Sequence, residues 1–263
     1  MTARDAVVRV ERRLAAAGIE TPRVDAEWLV AHVASTARSS LHAAGDVDEG
    51  ALEPLVRRRE AREPLAYVIG EWGFRRLTLK TDARALVPRP ETETLVERAL
   101  ALIAHIDAPR ILDVGVGSGA VALALADEHR GSRVVGVDTS PAALALAAEN
   151  AASLGLAVEL RLAGIDTATE GWDLVVSNPP YVADQEWAAL QPEIRRWEPR
   201  AALVGSGLHE ALATTAVTRA LAVEVGDGQA ERVADAFTAC GYREVRITDD
   251  LSGRPRVVEG TRA

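Results

Sequence analysis

The sequence predicts an α/β protein in which a small helical domain and a β-hairpin linker precede a doubly wound, mostly parallel, seven-stranded sheet. Three observations carry this prediction. Apolar residues recur with helical spacing alone over the first 66 residues, and from Arg110 onward the spacing alternates between strand and helix. A glycine-rich segment, residues 113–119, follows the first strand of that second part. Strands that alternate with helices are typical of parallel sheets.

The helical domain is predicted over residues 1–66. Its first helix has an apolar stripe that includes Val7 and Leu14 and ends before Gly18. A second helix is expected to begin at Thr21-Pro22, because a threonine cap followed by proline starts helices. The spacing places Val24, Trp28, Leu29 and His32 on this second helix.

A β-hairpin linker is predicted over residues 67–90, where Gly70, Gly73 and an alternating Leu77 and Leu79 replace the helical spacing. Pro88-Arg89-Pro90 closes it, and the α/β domain follows over residues 91–263. Helices are expected at 91–105, from 120, and at 141–154. Strands are expected at 111–114, 134–137, 158–160, 174–176, 221–225, 245–247 and 256–259.

Composition narrows the class of function. The formal charge of −9 disfavours a surface that tracks phosphates, since nucleic-acid affinity comes mostly from Lys and Arg. The single cysteine, Cys240, excludes an internal disulfide and a cysteine-rich zinc site, and we expect no metal. No run of residues is long and apolar enough for a membrane span, and no apolar leader follows Met1. The expectation is a cytoplasmic monomer.

The glycine-rich segment from Asp113 to Gly119 predicts a nucleotide-like cofactor. Backbone amides and a helix N-terminus are exposed where a strand passes into a helix through glycines. The spacing Gly115-x-Gly117-x-Gly119 differs from the Gly-x-Gly-x-x-Gly of dinucleotide folds, which favours S-adenosylmethionine over NAD. The alternative is a tight turn that needs glycine for packing alone.

Two acidic positions extend this predicted cofactor site. Asp138 ends the next strand about twenty residues after the loop, where its two oxygens could accept from both ribose hydroxyls. Asp138 is expected to be free for the ligand, because Ser140-Pro141 already caps the following helix. Asp166-Thr167, after the third strand, is expected near the adenine amine.

The turn Asn178-Pro179-Pro180-Tyr181 follows a predicted buried strand and indicates methylation of a planar NH2 group. The lone pair of such a nitrogen is delocalised, so acceptors on both N–H bonds favour the geometry of the transition state. The Asn178 side-chain carbonyl and the Pro179 backbone carbonyl suit that task, and Tyr181 would stack on the amide. A rigid turn without chemistry is the alternative.

Nearly end to end, the chain resembles the bacterial release-factor glutamine methyltransferases (HemK/PrmC family). The matching segments begin at Asp25 (DAEWL), Glu63 (EPLAYVIGEW), Val87 (VPRPETE), Ile111 (ILDVGVGSGA), Val176 (VSNPPY), Glu198 (EPRAAL) and Asp250 (DLSGRPRVV). The Asn-Pro-Pro-Tyr turn alone is shared with DNA adenine and RNA guanine amino-methyltransferases. The segment Val87–Glu93 is much more specific.

The resemblance implies N5-methylation of the glutamine in the Gly-Gly-Gln loop of class I peptide release factors. It also implies that the helical domain docks the release factor and that the α/β domain holds S-adenosylmethionine. The cofactor contacts would be Asp113, Gly115, Val116, Gly117, Ser118, Gly119, Asp138, Asp166, Thr167 and Asn178. The glutamine would be held by Asn178, Pro179, Pro180 and Tyr181, with Arg89, Pro90 and Glu93 on the linker side; Asn178, Pro179 and Tyr181 would carry the catalysis.

One departure from the family concerns residues 204–219, about ten residues shorter than in the pattern it resembles. Only a helix of about two turns is expected there, ending near Thr214 and leaving apolar surface uncovered. Three alternative functions stay open: methylation of a ribosomal-protein glutamine, an RNA or DNA amino-methyltransferase, and an inactive methyltransferase-like binding protein.

Overall fold

The protein divides into two compact units in a computed structural model that describes residues 1–262. The helical unit comprises residues 1–71 and a later segment, residues 190–197. The α/β unit comprises residues 72–189 and the chain from Glu198 onward. The later segment was predicted as part of the α/β domain because nothing in its composition separates it from its neighbours.

The helical unit packs around a core that includes Val7, Leu14, Leu29 and Leu52. Numbered along the whole chain, its helices are α1 (Ala3–Ala16), α2 (Pro22–Val33), α3 (Glu49–Glu60), α4 (Leu65–Ile69) and α8 (Pro192–Trp197). Thr2 caps α1 by accepting from the amide of Asp5 at 3.2 Å.

The residues predicted from helical spacing on α2 are only partly those that pack inward, because Leu29 is buried but two others are not. Val24 and Trp28 are exposed by 41% and 37%, whereas Asp25 is buried. Asp25 accepts from Arg59 at 2.7 Å and from Thr21 at 2.9 Å, and these two bonds compensate the burial of its charge. Hydropathy ranks a carboxylate as an exposed residue, so the apolar spacing favoured Val24 and Trp28 over Asp25 as the buried positions of α2.

The α/β unit has helices α5 (Glu93–Ile103), α6 (Ala120–Glu128), α7 (Pro141–Leu154), α9 (Leu208–Thr215) and α10 (Ala230–Ala239). Its strands are β1 (Glu71–Phe74), which begins at the last residue of the helical unit, β2 (Leu77–Lys80), β3 (Arg110–Val114), β4 (Arg133–Asp138), β5 (Glu159–Leu162), β6 (Trp172–Ser177), β7 (Thr218–Glu224), β8 (Arg243–Asp249) and β9 (Pro255–Thr261). The predicted hairpin is therefore confined to β1 and β2, and the predicted linker position Tyr67 lies in α4.

The large sheet has seven strands in the order β5-β4-β3-β6-β7-β9-β8. Strands β3 to β7 pair in parallel, and β9 runs antiparallel to both of its neighbours. The chain leaves β3 in one direction to build β4 and β5, then returns to place β6 on the other side of β3. The crevice at such a reversal, beyond the carboxyl ends of the strands, is where ligands of open α/β sheets bind.

Successive residues of the central strands point to opposite faces of the sheet, and each face is covered by helices. Ile111 of β3 and Leu174 of β6 belong to one hydrophobic cluster, with α5, α6 and α7. Leu112 and Val175, one residue further along, belong to the other, with α9 and α10. The predicted fold class is confirmed.

The structure of residues 204–219, before and at the start of β7, differs in part from the prediction. Helix α9 has eight residues, as predicted, but β7 begins at Thr218 and the connection is only two residues long. Within residues 204–219 the only exposed large apolar side chain is Val217. The expected uncovered apolar surface is therefore reduced to Val217, and Leu212 and Ala213 of the short helix pack against the sheet.

Candidate active site

The carboxyl ends of β3 and β6 lie side by side and open into a cavity of about 530 Å³. The loop after β3 holds residues 115–119, and the turn after β6 holds residues 178–181. The predicted site residues that line the cavity are Arg89, Asp113, Gly115, Val116, Gly117, Ser118, Asp138, Asp166, Asn178 and Pro180.

The glycine loop adopts backbone φ angles that residues with side chains disfavour. Gly115, Gly117 and Gly119 have φ angles of +79°, +54° and +88°, in the left-handed region that favours glycine. A Cβ atom at Gly119 would approach Leu123 to 2.9 Å. Gly119 does not line the cavity, so its role is close packing at the start of α6, whereas Gly115 and Gly117 bring bare backbone to the cavity wall.

Asp138 lies at the cavity wall but is not free of protein partners, contrary to the prediction. One carboxylate oxygen accepts from the amide of Gly117 at 3.0 Å and the other from the amide of Ser140 at 2.9 Å. Ser140 also caps α7, as predicted, by accepting from Ala143. Each oxygen of Asp138 keeps further acceptor capacity, so the two amides orient the carboxylate for a ligand with two hydroxyls.

Asp113 contributes a buried carboxyl group at the end of β3. It accepts from the amide of Ala122 at 3.1 Å. Burial raises its pKa to about 7; the Ala122 amide opposes this rise and the negative charge of Asp138 adds to it. A positively charged ligand in the cavity would favour the ionised form of Asp113.

Asn178 is held by a chain of hydrogen bonds that the sequence analysis did not anticipate. Its Nδ2 donates to Thr92 Oγ1 at 3.1 Å, and Thr92 Oγ1 donates to Glu224 Oε2 at 2.6 Å. Glu224, at the end of β7, is buried, and burial raises its pKa to about 6 while Thr92, Arg256 and Tyr181 oppose the rise. Thr92 also lines the cavity.

Tyr181 is placed differently from the prediction that it stacks on a substrate. Its hydroxyl donates to Glu224 at 3.3 Å, and its side chain does not line the cavity. The Tyr181 ring packs against Gly226, where a Cβ atom would approach to 2.8 Å. Desolvation and the charge of Glu224 raise the Tyr181 pKa well above its usual range, so the phenol stays protonated and donates.

Four further predicted site residues lie away from the cavity lining: Pro90, Glu93, Pro179 and Thr167. Glu93 accepts from the amide of Arg75 at 2.9 Å and so holds the turn of the β1–β2 hairpin. Thr167 is buried, and its carbonyl accepts from Trp172 Nε1. Arg89 does reach the cavity, with its guanidinium held by Glu198 at 2.6 Å.

Sequence reasoning missed lining residues from segments with no polar motif of their own. They include Leu86, Val87, Ala163, Ile165, Pro199, Ala201, Ala202 and Leu208. For Ala163, the only sequence feature that could have indicated a place at the cavity was its position after the end of a strand. The segment EPRAAL, residues 198–203, contributed to the resemblance, but no chemical reason connected its apolar residues with a ligand.

The family follows from comparison with known proteins. Residues 5–70 match the model of the PrmC N-terminal domain, and residues 93–195 match that of the methyltransferase small domain. A release factor glutamine methyltransferase of Cereibacter sphaeroides is 42% identical over an alignment of 278 positions, gaps included. This alignment covers 98% of this chain and 98% of the relative. That of Rhodospirillum rubrum is 40% identical and covers 93% of this chain and 80% of the relative. The chain belongs to the release factor glutamine methyltransferases.

Membership of the release factor glutamine methyltransferase family confirms the predicted enzyme class and S-adenosylmethionine as the cofactor. The fold is shared more widely. The catalytic domain of hMettl16 superposes with a TM-score of 0.54 at 16% identity, over 70% of this chain and 74% of that domain. At that identity the likeness concerns the fold alone.

Residues 1–262 lack two further features. No group of three or more His, Cys, Asp or Glu side chains is arranged to hold a metal ion. No helix in this range has the length and apolarity needed to cross a membrane.

Proposed function

We propose that the protein transfers a methyl group from S-adenosylmethionine to the side-chain amide nitrogen of the glutamine in the Gly-Gly-Gln loop of class I release factors. The observation that carries this proposal is the position of Asn178 at the cavity beside the glycine loop. A residue that can accept from an NH2 group thus borders the space that fits the cofactor.

The residues of the cavity fit S-adenosylmethionine. The orienting bonds of Asp138 leave its carboxylate able to accept from a ribose, and Gly115 and Gly117 allow close approach of the ligand to backbone. Asp113 supplies a buried carboxyl group near the same wall. When bound, the cofactor supplies an electrophilic methyl group on a sulfonium.

The role of Asn178 is to accept from the amide nitrogen that becomes methylated. Acceptors placed for the pyramidal nitrogen of the transition state favour the geometry in which its lone pair no longer conjugates with the glutamine carbonyl, and they stabilise the positive charge that develops there. As the N–C bond forms, the methyl–sulfur bond would break and the nitrogen would lose one proton to solvent. Asn178 Oδ1 supplies one acceptor, and we assign the second to the Pro179 carbonyl. Arg89, held by Glu198, would contact the polar backbone of the substrate loop.

Protein, rather than nucleic acid, is the proposed partner, which the charge of −9 supports. We propose further that the helical unit docks the release factor, that the enzyme acts as a monomer, and that it works in the cytoplasm, where translation takes place. A ribosomal-protein glutamine is the second candidate substrate.

The test measures transfer of labelled methyl from S-adenosylmethionine to purified release factor. Wild type is expected to label the factor and not a factor whose Gly-Gly-Gln glutamine is replaced by glutamate. Asn178→Ala is expected to lower kcat by about a hundredfold to a thousandfold, as for the loss of one positioned transition-state partner. Labelling of ribosomal protein or RNA in preference to the release factor would refute the assignment.

A further inference from the structure

The orientation of the Asn178 amide decides whether it can serve as an acceptor. An amide side chain has nearly the same shape after a flip, so its hydrogen-bond partners determine which end faces a ligand. With Oδ1 toward the substrate, Asn178 accepts from an NH2 group. With Nδ2 there, it would meet that NH2 group donor to donor.

Thr92 imposes one of these orientations. Its hydroxyl has a single proton, and that proton is donated to Glu224 Oε2 in a bond of 2.6 Å. The Thr92 oxygen can then only accept, and it accepts from Asn178 Nδ2 at 3.1 Å. The direction of the chain is set at Glu224, because an ionised carboxylate has no proton to return.

We propose that Thr92 and Glu224 are positioning residues that keep Asn178 turned with its Oδ1 toward the substrate amide. This inference rests on the proposed function, in which Asn178 accepts from the glutamine. It gives a chemical role to Thr92, which belongs to the family-matching segment Val87–Glu93. It also gives a role to the buried carboxylate of Glu224, which does not line the cavity.

Protonation of Glu224 would release the arrangement. A protonated carboxyl group can donate to Thr92, whose hydroxyl is then free to donate to Oδ1 of a flipped Asn178. The surroundings of Glu224 bear on its titration: Arg256 of β9 and the Tyr181 hydroxyl favour the ionised form, and Glu91 disfavours it. His209 of α9 bonds only its backbone carbonyl.

The pKa of about 6 for Glu224 places this change just below neutral pH. Because the carboxylate is ionised above its pKa, we expect kcat to be highest above pH 7 and to fall as the pH is lowered through 6. A purely structural role for Thr92 or Glu224 would not make kcat fall between pH 7 and pH 6 at temperatures where the enzyme stays folded. We refer to this fall as the acidic limb of the pH profile.

The kinetic experiment uses saturating release factor and S-adenosylmethionine between pH 5 and 8.5. Thr92→Val removes the hydroxyl with little change in shape and is expected to lower kcat at pH 8 by about tenfold to a hundredfold, the cost of a misplaced catalytic group. Thr92→Ser restores the hydroxyl and should recover most of that loss. Thr238→Val is the matched control, since Thr238 lies at an exposed position of α10 and its hydroxyl donates to the carbonyl of Ala234.

Glu224→Gln separates charge from bonding. Its carbonyl can accept from Thr92, but its NH2 group can also donate, so the direction of the chain is no longer fixed. Because the group does not titrate, kcat should lie below that of wild type at pH 8 and the acidic limb of the pH profile should vanish, while cofactor affinity stays unchanged. Wild-type kcat in Thr92→Val, or an unchanged acidic limb in Glu224→Gln, would overturn the proposal.

A second measurement does not depend on turnover. The chain contains two asparagines, Asn150 and Asn178, so enzyme labelled with ¹⁵N-asparagine gives two side-chain NH2 signals. Asn150 donates to Lys80 and Ser118 carbonyls and serves as the internal reference. The Asn178 signal should shift with a midpoint near pH 6 in wild type and stay constant in Glu224→Gln.

The two measurements distinguish the failure of this inference from that of the proposed function. If wild type does not methylate the release factor but the Asn178 signal titrates with Glu224, the positioning network stands and the substrate is wrong. If the factor is methylated and the Asn178 signal is the same in wild type and Glu224→Gln at every pH, the positioning proposal is wrong.

Discussion

Arg59 and Glu193 form a partly buried ion pair across 134 positions of the sequence, with Nη2 donating to Oε1 at 2.8 Å. Arg59 also donates to Asp25, and Glu193 also accepts from Arg62 through both carboxylate oxygens. This network holds the segment of residues 190–197 in the helical unit. It also explains why Asp25 faces inward on α2.

Removing Glu193 should therefore destabilise the helical unit. Glu193→Ala leaves two arginines without their shared carboxylate, and loss of a hydrogen-bonded charge partner typically costs about 1.5–3 kcal/mol. The measurement is urea unfolding followed by tryptophan fluorescence, to which Trp28 and Trp197 of the helical unit contribute. The control is Glu27→Ala, which breaks the exposed pair with Arg23 and should cost less than about 1 kcal/mol. Equal effects of the two substitutions would contradict the importance of the network.

Asp138→Ala should weaken the binding of S-adenosylmethionine tenfold or more. Each charge-assisted hydrogen bond to the ligand is worth about 1.5–3 kcal/mol, and the substitution also frees the amides of Gly117 and Ser140. Calorimetry gives the affinity. Asp127→Ala removes an equal charge at an exposed pair with Arg76 and should leave the affinity unchanged. An unaltered affinity in Asp138→Ala would exclude Asp138 from the cofactor site.

Asp113 should make the protein less stable as the pH rises toward 7. Its pKa is about 7 in the folded protein and near 3.9 when unfolded, so the folded state binds the extra proton between these values. The free energy of unfolding therefore falls over this interval, by at most about 4 kcal/mol, and the loss is complete above pH 7. Denaturant unfolding at several pH values should show a smaller decline in Asp113→Asn than in wild type. Parallel pH profiles would show that Asp113 does not carry the effect.

Arg262 should stabilise the end of the short helix α9. Its guanidinium donates to the carbonyls of Ala213 and Ala216 at 2.9 Å and to Cys240 at 2.7 Å, and it lies 3.9 Å from the centre of the Tyr242 ring. Arg262→Ala deprives these carbonyls of a donor and should cost about 2–3 kcal/mol.

Thermal unfolding measures the effect of Arg262→Ala. Cofactor affinity should stay unchanged because Arg262 contacts the C-terminal end of α9, whereas the cavity is lined by Leu208 at the other end of this helix. Arg219→Ala, at a largely exposed side chain, is the control. A melting temperature that drops no further in Arg262→Ala than in Arg219→Ala would refute this role.

The sequence predicted the α/β unit well because its signals are local. The alternation of apolar strands with helices is repeated along the chain, and Ser140-Pro141 and Gly155 mark both ends of α7 where it was expected. Position at a strand end likewise brought Gly115, Asp138 and Asn178 to one cavity, since parallel strands place their carboxyl ends at the same edge.

Other properties depended on partners that are distant in the sequence. Tyr181 and Glu93 belong to matching motifs, but the structure directs Tyr181 to Glu224 and Glu93 to the hairpin turn. Thr92 had no chemical signal of its own until it was placed between Asn178 and Glu224.

By itself, then, the sequence determined the fold class, the order of the elements, the cofactor and the turn of residues 178–181 beside the cavity, because each depends on local periodicity or a contiguous motif. Only the tertiary structure decided which carboxylates are buried, which amide end of Asn178 is directed toward Thr92, and that residues 190–197 join the helical unit. Those outcomes depend on desolvation and on hydrogen-bond partners up to 134 positions away, which no local pattern encodes.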